Sequence, residues 1–275
     1  MILQFILSGA LVGFVVGATG VGGGSLMTPL LTLAFGVPAP VAVGTDLLFA
    51  AITKAWGALA YARRGQIPWP VVFLLASGSI PATLLTLGAL QLWHPDPVQF
   101  GALVRPALGF ALLLTAGAVA MRSQVQTLGR RFAARDAPLA PAGGTDAVLA
   151  RSGLFPGPHA WRTIAVGAVI GSLVTLTSVG AGAIGVVALY FLYPALPVRQ
   201  LVGADIVHAV PLTLVAGLGH AALGTVDATM LLGLLAGSLP AIQFGAAVAG
   251  RLPERALRAM LATMLLLIGT RLIWI

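Results

Sequence analysis

From Met1 to Val43 the chain carries no charged side chain at all. About 20 apolar residues in helical form cross the hydrocarbon core of a bilayer, and no water-soluble surface is built this way. The remainder agrees: 59% of the residues are hydrophobic, 8% are charged and mean hydropathy is +1.02. An ordinary soluble domain is about one-quarter charged. Helices satisfy their own backbone where water is absent, so the chain reads as an all-α polytopic membrane protein. The opening Met1-Ile2-Leu3-Gln4 lacks the basic residues that precede a cleavable signal, so the first apolar segment is expected to stay. The absence of cysteine excludes disulfide and thiol chemistry. A net charge of +8 would suggest nucleic acid in a soluble protein. Here the arginines lie mostly between apolar runs, where they act as topology signals beside anionic lipid, and no nucleic-acid partner is expected.

Apolar segments are expected at 3–19, 24–36, 40–62, 69–91 and 105–121, then at 163–179, 182–194, 198–221, 228–248 and 256–274. The 24–36 and 182–194 pieces are too short to cross alone and read as half-helices. Residues 122–162 hold Arg122, Arg130, Arg131, Arg135, Arg151 and Arg162 around APLAPAGG, and read as a basic, flexible cytoplasmic linker. This divides the chain into a first transmembrane repeat, 1–121, the linker, 122–162, and a second repeat, 163–275.

The two sides resemble each other. With a shift of 158 residues, Gly13, Thr19, Val21, Gly22 and Gly24 fall on Gly171, Thr177, Val179, Gly180 and Gly182. With one residue more, Gly44-x-Asp46 meets Gly203-x-Asp205, Gly65 meets Gly224, and Gly78-Ser79-x-Pro81-Ala82 meets Gly237-Ser238-x-Pro240-Ala241. Internal duplication is a recurrent plan among transporters. Cytoplasmic loops collect Lys and Arg. Five crossings per half put Arg63, Arg64, the linker arginines, Arg199, Arg251, Arg255 and Arg258 inside, leaving Arg105 and Arg271 outside. Counting each glycine-broken pair as one crossing moves Arg199, Arg251, Arg255 and Arg258 outside. The first reading is favoured: inverted-topology repeats, each with a glycine-broken helix pair plus three transmembrane helices, and both chain ends away from the cytoplasm.

GATGVGGGS (Gly17 to Ser25) breaks the first apolar region, and TLTSVGAGA (Thr175 to Ala183) is its counterpart. Irregular backbone inside a bilayer persists only where protein or a water-filled cavity supports it. A half-helix starting near Gly24 or Gly182 would present free N–H groups and a positive dipole end, an anion site made of backbone. The hydroxyls of Thr19, Ser25, Thr175, Thr177 and Ser178 are candidate extra donors. Gly9-x-x-x-Gly13-x-x-x-Gly17 fits close helix packing instead.

Ionisable side chains within apolar segments point to function. Asp46 and Lys54 lie in the third segment; Asp205, His208 and His220 lie in the eighth. Asp46 and Asp205 occupy matching positions, and the alternative for each is a structural bond to a backbone N–H or helix N-terminus. Asp205 and His208 share a helix face, a spacing suited to proton exchange. His220, near a segment end, reads as interfacial, as do Trp56, Tyr61, Trp69, Trp93 and Trp274. Pro81 and Pro240 kink their segments at matching points. The glycines are not followed by the Gly-Lys-Ser/Thr of a nucleotide loop, and no metal-binding cluster is legible, so neither cofactor nor metal is expected.

Gly17 to Leu31 (GATGVGGGSLMTPLL), Val43 to Lys54 (VGTDLLFAAITK), Gly203 to His220 (GADIVHAVPLTLVAGLGH) and the duplicated layout resemble the TauE/SafE sulfite exporter family, also called toluene sulfonate uptake permeases. The resemblance covers nearly all of the chain outside 122–162. It implies a multi-pass transporter of the bacterial cytoplasmic membrane, carrying sulfite, sulfonates or related small sulfur-containing anions and driven by an ion gradient. The second copy departs from the GGG form, having Gly180-Ala181-Gly182. The leading expectation is a proton-coupled exporter working by alternating access, not an enzyme. Its substrate residues would be Thr19, Gly22, Gly23, Gly24, Ser25, Lys54, Thr177, Gly180 and Gly182, and its proton-coupling residues Asp46, Asp205 and His208. A passive anion channel and a non-transport membrane assembly protein stand as alternatives.

Overall fold

A computed structural model describes residues 2–19, 24–63, 67–93, 96–135, 158–194, 196–248 and 254–274. Ten helices lie among them: α1 (Ile2–Thr19), α2 (Gly24–Ala34), α3 (Ala39–Arg63), α4 (Trp69–Trp93), α5 (Pro97–Arg135), α6 (Pro158–Thr177), α7 (Ala183–Leu192), α8 (Val198–Ala222), α9 (Ala228–Val248) and α10 (Glu254–Trp274). Six of them, α3, α4, α5, α6, α8 and α9, are long and apolar enough to cross a membrane. The 11 residues of α2 and 10 of α7 rise about 15–16 Å, half of a bilayer core. They are the two expected half-helices. One expectation changes: α5 begins earlier than the apolar run and its backbone stays helical to Arg135, well into the stretch read as flexible linker. Residues 136–157 lie outside the described residues.

Helices in lipid gain little from apolar burial, so association depends on close contact. Here glycine supplies it. A Cβ on Gly9, Gly13 or Gly17 of α1 would run into the α9 backbone at Leu234, Ser238 and Ile242 in turn, and Gly237 and Gly245 of α9 meet Ile6 and Phe14 in return. Both series ascend together, so α1 and α9 run parallel. The same joint recurs between α4 and α6, where Gly78 meets Ile164 and Gly167 and Gly171 meet Leu75 and Ser79. The packing role expected for the Gly9 series therefore holds, and each joint unites a helix from one half with a helix from the other.

The corresponding helices α3 and α8 also touch, in the opposite sense: Gly44 meets His220, Leu48 meets Gly217 and Gly57 meets Ile206. They pack antiparallel at the centre of the molecule. Beside them, α2 buries Leu26, Met27 and Leu31 among α3, α5, α9 and α10. On the other side α7 buries Val186, Leu189 and Tyr190 against α4 and α8. The outer faces are apolar, with Leu85, Leu92 and Phe73 exposed along with Trp56, Trp69, Trp93 and Trp274. That surface suits lipid, with the tryptophans in keeping with an interfacial belt.

Candidate functional site

The connection between α6 and α7 has a geometry that explains its composition. Ser178 has φ 59°, Gly180 129° and Gly182 134°. The glycine values lie where a Cβ clashes with the backbone, so the GxG spacing is a conformational demand. The loose ends are tied locally. The Thr177 hydroxyl donates to the Leu173 carbonyl at 2.7 Å and accepts the Val179 amide at 3.1 Å. Ser178 N–H donates to the Val174 carbonyl at 2.7 Å, while Gly185 and Val186 donate to the carbonyls of Gly180 and Gly182. His220 on α8 donates from Nε2 to the Thr175 carbonyl at 2.9 Å, one of the helix-end carbonyls left without an intrahelical partner.

Three charges converge on this break. Lys54, from α3 in the other half, donates from Nζ to the Ala181 carbonyl at 3.0 Å. Its charge acts on both Asp205 and Asp46. Asp205 is 1% exposed, and a Cβ on Gly185, in the first turn of α7, would strike its Oδ1. The Gly182 amide acts on the same carboxylate from the break. Asp46 is wholly buried; Thr28 of α2 donates to its Oδ2 at 2.6 Å, and Ser178 acts on it from the break. Each aspartate thus lies against the first turns of the half-helix of its own half, where the dipole favours negative charge.

Polar atoms in this region are incompletely matched. Asp46 Oδ1, Ser178 Oγ, both carboxylate oxygens of Asp205 and His208 Nδ1 are buried without a well-formed hydrogen bond among the described residues, although Ser178 stands near Asp46 and the Gly182 amide near Asp205. Burying an unmatched polar group costs about 1–3 kcal/mol, more if charged. Five such atoms beside an ammonium make this break the candidate site.

Sequence expectations meet this geometry unevenly. Lys54, Gly180, Gly182, Asp46 and Asp205 come together. Thr177 is close by, but its hydroxyl is engaged in holding its own turn. His208 does not pair with Asp205; its Nε2 bonds Ser79 Oγ of α4 at 2.8 Å. Gly24 opens α2, whereas Gly22 and Gly23 lie outside the described residues, as do the side chains of Thr19 and Ser25. His220, expected at the interface, is fully buried, with Nδ1 on Thr225 Oγ1 at 2.9 Å. Composition explains the error: a histidine near an apolar segment's end reads as interfacial, and its carbonyl partner lies on another helix. Thr28, Ser79 and the Ala181 carbonyl were not anticipated. Ser79 had a signal, its place in the duplicated Gly-Ser-x-Pro-Ala; Thr28 had none, because α2 meets α3 only in the fold.

A family profile described as Sulfite exporter TauE/SafE matches residues 5–272. Among curated relatives, "Probable membrane transporter protein YjnA" of Bacillus subtilis (strain 168) is 35% identical over 273 residues, 99% of this chain and 100% of the relative. "Probable membrane transporter protein YdhB" of the same organism is 26% identical over 259 residues, 94% of each chain. No solved structure matches.

Proposed function

Because the chain belongs to the sulfite exporter TauE/SafE family of membrane transporters, we propose that it carries a small sulfur-containing oxyanion, sulfite or an organosulfonate, across the bacterial cytoplasmic membrane. It does so as a secondary transporter, by alternating access, with proton movements at Asp46, Asp205 and His208. The observation that carries this reading is the meeting of Lys54, Asp46 and Asp205 at the second glycine break. The ammonium and the helix-start amides attract an anion; the carboxylates occupy the same field and must have their charge relieved before the anion enters. In the first half, Gly22, Gly23, Gly24 and Ser25, with Thr19, are proposed as further substrate residues.

Helix directions support inverted repeats. A two-fold axis in the membrane plane makes corresponding helices antiparallel, whereas an axis along the membrane normal leaves them parallel. The antiparallel contact of α3 with α8 favours the first, as does the distribution of arginines. The substrate assignment is tested by binding of sulfite, taurine and sulfoacetate to the purified protein, followed by flux in proteoliposomes. Binding of at least one, with saturable flux, is expected; a folded protein that binds none of them refutes it.

A further inference from the structure

The charges around the second break do not balance, and the imbalance has a consequence for what enters with the substrate. From α3 come Asp46 and Lys54, and from α8 Asp205 and His208. From α2, α4 and α6–α7 the groups that face them are uncharged: Thr28, Ser79, Ser178 and the amides of the break. Arg105, Arg162 and Arg271 are exposed on the outer surface. His208, bonded to Ser79, is counted as neutral in both end states, its proposed part being to pass a proton on and not to hold one. Among the described residues Lys54 therefore faces two carboxylates alone.

We propose that this site binds one singly charged oxyanion together with one proton, with Lys54 as the counter-charge, Asp46 and Asp205 as the proton acceptors, and Ser178 Oγ and the amides preceding α7 as donors to the anion. This rests on the transporter reading above and adds the substrate's charge and the sign of the coupling. With one carboxylate protonated the empty site is neutral. A monoanion added to that state leaves a net negative charge in a buried place, which is expensive where the effective dielectric constant is low. A second proton restores neutrality, so the two neutral states differ by one anion and one proton. A doubly charged oxyanion would leave one negative charge uncompensated even with both carboxylates protonated. By linkage, whatever makes the proton help the anion makes the anion help the proton. Anion and proton then travel in the same direction, and the step is electroneutral. Net export therefore requires an outward anion gradient larger than the inward proton gradient opposing it.

The arrangement is not shared by the two halves, which supports a single composite site. The position matching Lys54 is Thr213, whose hydroxyl bonds the Ala209 carbonyl of its own helix, and the position matching His208 is the buried Phe49.

The test uses methanesulfonate, which stays singly charged at every accessible pH, and sulfate as a doubly charged counterpart. Titration calorimetry of the purified full chain, in buffers of different ionisation enthalpy, reads affinity and proton uptake together. Expected are methanesulfonate affinity rising as pH falls, towards about tenfold per unit, net uptake close to one proton per anion, and weaker sulfate binding. Asp46→Asn and Asp205→Asn combined are expected to flatten the pH profile and abolish the uptake, each alone leaving one carboxylate to take the proton, and Lys54→Gln to weaken binding at least about tenfold. If a variant does not fold, the profile of the unaltered protein decides. Affinity independent of pH, proton release on binding, or sulfate bound as tightly as methanesulfonate overturns the inference. If sulfite, taurine or sulfoacetate binds but methanesulfonate does not, the inference fails alone. If none of the four binds, the transporter-site reading fails with it.

Discussion

Lys54 is the one lysine in 275 residues, and its ammonium crosses from the first half to hold a carbonyl of the second half's glycine break. By sequence alone its place in an apolar helix marks it as a candidate substrate residue. The fold sets it against Ala181, 127 positions away in the connection between α6 and α7, with both aspartates in reach of its charge. Replacing it with alanine should abolish saturable anion flux while the protein still folds, because the two carboxylates it faces can take up a proton in its place; flux and gel-filtration profile are the two readouts. Gly182→Ala should act differently. Its φ of 134° is strained for any side chain, so a loss of about 1–3 kcal/mol is expected, seen as a lower melting temperature in detergent as well as lost binding. A hydroxyl at a helix break serves the backbone beside it as well as a ligand, and the Thr177 hydroxyl is taken by Leu173 and Val179.

At the level of elements, the apolar runs translated almost directly into helices, because charge and length decide what can lie in a bilayer. The half-helices were legible for the same reason: runs of 11 and 10 helical residues cannot cross alone. The start of α5 and its continuation to Arg135 were not, since a helix can extend past the membrane on polar residues that hydropathy does not register. The glycine joints allow a sharp comparison. Gly9→Val forces a branched side chain into the Leu234 backbone and should destabilise the protein by about 1–3 kcal/mol. Gly88→Ala on α4, where nothing lies within 4 Å of the added carbon, should be neutral or stabilising by up to about 1 kcal/mol, the helix-interior advantage of alanine. Thermal denaturation in one detergent measures both.

Over the whole molecule, spaced small residues point to a duplication and the arginines to an inverted topology, which labelling tests. Because the chain has no native cysteine, single cysteines report sidedness cleanly. For inverted repeats, Arg199→Cys in intact spheroplasts should resist a membrane-impermeant maleimide while Gln99→Cys is labelled. Labelling at residue 199 would favour parallel copies. What neither pattern revealed is how the copies are joined. The parallel α1–α9 and α4–α6 seams, with backbone against backbone, each stitch one copy to the other. A motion in which one copy rocks as a block against its twin would have to tear both seams open. In the alternating-access reading proposed above, the parts expected to move are therefore not the two repeats but the elements between the seams, and the units of duplication and the units of mechanics would be different sets of helices.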